Sequence, residues 1–106
     1  CNPRTMIIYN VTTQPAWEIH EDWLNWMKEE HIPDVMGTGM FTQCMILRLL
    51  EVDESDGPTY AMQYHAESRE TYDRYISDYA AELRKKTFAK WGNRFIAFRS
   101  LMQVVE

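Results

Sequence analysis

An α+β fold, with a four-stranded antiparallel sheet carrying two helices on one face, is predicted by three features of the 106-residue chain. Runs rich in β-formers lie at 6 to 12, 41 to 52, 59 to 66 and 94 to 105. Two stretches of helical periodicity separate the first run from the second and the third from the fourth. Between the second and third there is only ESDGP, at 54 to 58, whose Asp-Gly pair is a hairpin signal.

MIIYNVT (6 to 12) has no breaker and reads as a strand buried on both faces. Thr13, Gln14 and Pro15 interrupt it, and Pro15 suits the first turn of a helix. That helix is expected over 16 to 31, with Glu18, Glu21 and Asp22 at its positive end. Pro33 is expected to stop it, leaving room for a short helical turn from Pro33 to Met36, and Gly37 and Gly39 then turn the chain. Strands follow over 41 to 52 and 59 to 66, paired antiparallel. Ser68 is placed to cap a second helix whose apolar stripe runs through Tyr72, Tyr75, Ile76, Tyr79, Ala80, Leu83, Phe88 and Trp91. Gly92 ends it, and 94 to 105 is the last strand. The order β-α-β-β-α-β is the ferredoxin-like, or split βαβ, arrangement. Residues 6–106 are read as one such domain, and 1–5 as an N-terminal extension or a cloning remnant.

Both alternating sets of strand residues carry large apolar groups. Ile8, Met45, Leu47, Ala61, Phe95 and Leu101 are assigned to one phase, and Ile7, Ile46, Leu50, Met62, Phe98 and Met102 to the other. Two helices cover one face, so the other needs a second copy, and a homodimer packing sheet on sheet is expected. The 4 Trp, 6 Tyr and 7 Met supply more apolar surface than one small core normally absorbs, which agrees with an interface or an apolar pocket.

The net charge of -5 disfavours nucleic acid as a partner. The basic segment RKKTFAKWGNR (84 to 94) reads as cations complementing a helix C-terminus, with an anion-binding patch as the other reading. No run is long and apolar enough for a membrane span, so the expectation is no membrane and a cytoplasmic location. Cys1 and Cys44 make no disulfide framework, and Cys44 reads as a small buried hydrophobe.

On a 100° wheel the sheet-facing side of the first helix carries Ala16, Trp23, Met27 and Leu24, with His20 about 40° and His31 about 60° from Ala16. The two histidines lie roughly 16 Å apart along the axis, too far to share a metal ion. HED at 20 to 22 lacks the second histidine of a zinc-protease helix, since position 24 is Leu. No nucleophile elbow or phosphate-cradling loop occurs, and no metal or cofactor is expected. The remaining polar set comprises Asn10, Gln63, His65 and Arg99, assigned to a shared strand phase.

MIIYNVT, HEDWLNWMKEEHIPDVMGTGMF, MQYHAES and GNRFIAFRS closely resemble a family of short bacterial proteins known only as a domain of unknown function. The resemblance covers nearly the whole chain from Met6. It implies a dimeric ferredoxin-like α/β barrel and brings no activity. More distantly, the chain is similar to the dimeric α/β-barrel superfamily, which includes cofactor-independent monooxygenases, muconolactone-type isomerases and haem-degrading enzymes. His31-Ile32-Pro33 resembles the end of the first helix in some members. Asn10 resembles the strand-one asparagine of the haem-degrading branch, but that branch implies a second-helix histidine and residues 68 to 91 contain none, so haem is set aside.

Two functional readings follow. The favoured one is a non-catalytic homodimer that binds a small apolar or aromatic ligand or a partner protein. The alternative is a cofactor-independent monooxygenase-like or isomerase-like enzyme. In it His20 or His31 moves a proton, Asn10, Gln63 or Arg99 steadies an oxyanion, and Trp23 or Tyr64 lines the wall.

Overall fold

The computed structural model describes residues 5–106, so residues 1–4 of the expected extension lie outside the described residues. β1 (Ile7–Pro15) pairs antiparallel with β3 (Tyr60–Ala66) on one side and β4 (Phe95–Gln103) on the other, and β2 (Gln43–Arg48) adds to the far side of β3. The order β2-β3-β1-β4 is that of a ferredoxin-like sheet. The first helical stretch is a 3₁₀ turn (Trp17–Ile19), α1 (His20–Trp26), a π turn (Met27–His31) and α2 (Ile32–Met36). The second is α3 (Arg69–Tyr75), a π turn (Ile76–Ala80) and α4 (Ala81–Trp91).

Several boundaries differ from the sequence reading for identifiable reasons. Pro15 ends β1, opposite Phe95, instead of opening a helix, because a proline that lacks an N–H is tolerated at a strand end. Pro33 does not stop the first helix. The π turn widens the backbone so that the Ile32 N–H reaches the Met27 carbonyl, and Pro33 then sits in the first turn of α2, where no donor is needed. Of the two following glycines only Gly39 uses a positive φ, of 77°. Asp56-Gly57 does not form a tight hairpin. Residues 49 to 59 run as a longer loop tied down by the Arg48–Glu54 pair and by Trp17 Nε1 donating to the Glu54 carbonyl at 2.8 Å. Gly57 passes so close to β1 that a Cβ there would meet the Pro15 carbonyl, which explains the glycine by contact rather than by conformation. The predicted Ser68 cap is present, with the Thr71 N–H donating to its Oγ at 3.2 Å, and Gly92 ends α4 at φ 60°.

The register assigns the two sheet faces. Tyr9, Val11 and Thr13 of β1 share the helix-covered face with Tyr60, Met62 and Tyr64 of β3 and with Phe95, Ala97 and Arg99 of β4. Here the core forms, around Trp23, Val35 and Met62. The open face carries Ile8, Asn10 and Thr12 beside Ala61, Gln63 and His65, Met45 and Leu47 of β2, and Ile96, Phe98 and Met102 of β4. This corrects the phase assigned to the last strand: Phe95, Leu101 and Arg99 belong to the helix side, and Phe98 and Met102 to the open side. Leu50 lies beyond the end of β2, in the loop. The open face stays apolar after the correction, with Ile96 69% and Phe98 60% exposed. In the second helix Phe88 is also outside the core: five residues after Leu83 within α4, it stands about 140° around the helix from that buried side chain.

Candidate functional site

Between the sheet and both helices lies a chamber of about 80 Å³. Val11, Met62 and Arg99 are neighbours across its floor, since Val11 pairs with both of the others. Trp23, Met27, His31 and Val35 reach it from the first helical stretch, and Tyr75, Leu83, Arg84 and Thr87 from the second. Met27 and His31 are the first and last residues of the π turn, so the widened turn that admits Pro33 also presents two side chains to the chamber. π turns occur frequently at functional sites. The second π turn lies between Tyr75 and Leu83.

His31 stacks on Trp26, with ring centroids 5.0 Å apart and planes inclined by 24°. Its Nδ1 lies 3.5 Å from Thr87 Oγ1, a long contact. The Thr87 hydroxyl already donates to the Leu83 carbonyl at 3.0 Å. Burial pushes the His31 pKa down to about 4; Asp34 opposes this and Arg99 adds to it. The imidazole is therefore neutral at pH 7.

This has a measurable consequence. The folded pKa is below the ordinary value near 6.5, so the unfolded chain binds more protons between the two. The stability associated with a neutral His31 is complete above about pH 6.5 and declines as the pH falls toward about 4. Replacing His31 by Gln should reduce the stability lost between pH 7 and pH 5 by roughly 1–2 kcal/mol, as read from urea unfolding at both pH values. An unchanged slope would place the histidine in water.

At the other polar point of the chamber is Tyr9, only 4% exposed. Its hydroxyl oxygen accepts from Arg84 Nη2 and from Arg99 Nε, each at 3.1 Å. Tyr64 and Tyr75 stand nearby, and burial raises both hydroxyl pKa values, so both remain protonated. Cys44 neighbours Tyr64 across the β2–β3 pair, and burial raises its thiol to about 11, which leaves it an inert packing group.

The residues singled out from the sequence are thus divided. His31, Trp23, Tyr64 and Arg99 meet at the chamber. His20 does not: its Nε2 lies 2.6 Å from the Tyr60 hydroxyl and its ring stacks on Tyr60, away from the lining. Asn10 and Gln63 face each other across the β1–β3 pair on the open side, where His65, opposite Ile8, also lies. Asn10 Nδ2 donates to Thr12 Oγ1 at 2.9 Å, while its buried Oδ1 finds no acceptor role among the described residues. The sequence reading missed Tyr9, Arg84 and Thr87. Tyr9 alternates with Ile7 and Val11 and so looked like plain core, and Arg84 looked like one more cation of a helix tail. No group of three metal-ligating side chains occurs among the described residues, and no described helix is long and apolar enough to cross a membrane.

Residues 6–105 match the family described as a domain of unknown function (DUF4286), and the chain belongs to it. No curated protein matches the chain. Solved structures share its fold at low identity. A dimeric ferredoxin-like protein from an uncultured marine organism is 13% identical, with TM-score 0.64 over 95% of this chain and 97% of that one. A mutant of SnoaB, a cofactor-independent oxygenase from Streptomyces nogalater, is 8% identical, with TM-score 0.68 over 96% and 95%. A monooxygenase from the gene ActVA-Orf6 of Streptomyces coelicolor, in complex with the ligand nanaomycin D, is 12% identical, with TM-score 0.61 over 96% and 89%. At these identities the likeness is one of fold.

Proposed function

We propose that this member of the family is a homodimeric binding module that holds one small, planar, largely apolar molecule per subunit in the chamber between helices and sheet. The chamber itself carries the reading. A single water needs only ~10–15 Å³ of such room, and packed interiors keep few voids larger than that. About 80 Å³ beside aromatic and aliphatic side chains is therefore more than packing leaves over. Apolar surface predominates in its lining, and polar groups of Tyr9, His31, Arg84 and Arg99 border it, a combination that ligand sites share. The open sheet face supports the second copy, and a neighbour of the same fold is described as dimeric.

Indole, a planar uncharged probe, tests the chamber. At millimolar concentration it should raise the melting temperature of the wild type through preferential binding to the folded state. Ala97→Phe, which fills the chamber from β4, should melt no lower than the wild type in the absence of indole and should lose the response. No shift for the wild type, or an equal shift for the filled variant, would refute the reading.

A second reading has one observation in its favour. His31 is neutral at the chamber wall, and a neutral imidazole has one free nitrogen lone pair that can accept a proton from an activated carbon acid, whose carbanion then reacts with dioxygen. Cofactor-independent oxygenation is named for one neighbour of the same fold. A pKa near 4 makes His31 a weak base at pH 7, which is why binding is placed first.

A further inference from the structure

We propose that Tyr9, Arg84 and Arg99 form an oxyanion-binding end of the chamber, and that the molecule held there is a planar carboxylate or phenolate rather than a neutral compound. The proposal rests on the chamber being a ligand site and names the class of ligand.

Three observations lead to it. The Tyr9 hydroxyl oxygen has two lone pairs, and the two arginines occupy both. Its own proton is then left to donate, and no described residue accepts it. Second, each guanidinium has five N–H donors in a planar fork, and the contact to Tyr9 uses one of them. The rest suit the two oxygens of a carboxylate.

The third observation is electrostatic. The chain is acidic overall, yet neither arginine is paired. The described ion pairs join Arg48 to Glu54, Arg69 to Asp73, Lys85 to Glu82 and Lys86 to Asp34, and no described carboxylate forms one with Arg84 or Arg99. Two like charges converge instead on one neutral oxygen, from α4 and from the edge strand β4. An anion between them removes their mutual repulsion, and an uncharged ligand does not. Both side chains are exposed, so this end faces solvent and lets a charged ligand enter, while Trp23, Met27 and Met62 supply the apolar remainder.

The experiment compares benzoate with benzamide, two probes of nearly the same shape that differ in charge, by titration followed with NMR chemical shifts at 50 mM NaCl. Benzoate is expected to bind the wild type at least tenfold more tightly than benzamide, with a preference that shrinks at 300 mM NaCl. In Arg84→Gln/Arg99→Gln the ratio of the two affinities, which is the quantity read, should fall toward one. Arg84→Lys/Arg99→Lys keeps both charges without the forks, and should retain part of the preference. Tyr9→Phe should weaken benzoate more than benzamide, because a carboxylate accepts the lost hydrogen bond more strongly than an amide carbonyl does. Benzamide binding with no preference for benzoate would overturn the oxyanion site and leave the chamber reading standing. A preference undiminished in the double glutamine variant would also overturn it, assigning the anion to another surface. Failure of both probes to bind would overturn the chamber reading and this proposal together.

Discussion

Trp23→Ala should cost about 3–5 kcal/mol of folding stability, the range for removing a large aromatic side chain from a packed interior. Trp23 is 1% exposed and packs against Tyr60 with ring centroids 5.6 Å apart. It also stands where the first helical stretch, the sheet and the chamber meet, so its loss joins a new void to an existing one. Total stabilities of small domains are about 5–15 kcal/mol, so the variant should be near the edge of folding. Urea unfolding of both proteins at pH 7 gives the measurement. A loss under about 1 kcal/mol would mean that the helix is anchored elsewhere. Indole should restore part of the loss, because the enlarged chamber then has something to fill it.

Phe98→Asp should turn the protein into a monomer with little change in the stability of each subunit. Phe98 is 60% exposed in the single chain and shares the open face with Ile96, Met102, Met45 and Leu47. A carboxylate on that surface either loses its water when two sheets meet or keeps them apart, and in a symmetric pair the charge is met twice. Light scattering at micromolar concentration should give twice the 12.7 kDa of one chain for the wild type and a single chain for the variant. A monomeric wild type would leave the apolar face without its proposed occupant. A dimeric variant would move the interface to another surface.

The element order was legible because strand and helix periods differ and the breakers stand between them. The Ser68 cap and the Gly92 stop were legible for the same local reason. His31 and Trp23 were placed by helical geometry, and both reach the chamber. What periodicity does not contain is the phase of one strand against another. Alternation separates Phe98 from Arg99, but only the pairing of Val11 with Arg99 says which of them lies under the helices. Arg99 was therefore grouped with Asn10 and Gln63, which are on the opposite side. The π turns are hidden for a related reason: the extra residue in each turn leaves no compositional mark, and a proline after a helical pattern has the signature of a terminator whether or not a widened turn precedes it. Tyr9 was missed because its chemistry comes entirely from two arginines 75 and 90 positions away in the chain.

The strand β4 carries one further consequence. Ile96 and Phe98 look outward from the sheet and Ala97 and Arg99 look inward, so neighbours in sequence serve different sides of a layer one strand thick. A single inserted or deleted codon between Phe95 and Arg99 would exchange the two sets, sending the guanidinium to the outer surface and an aromatic ring under the helices. Substitution can tune either surface alone, whereas a change of length in this strand alters both in one step. Descent with variation should therefore hold the length of β4 more strictly than the identity of its individual residues.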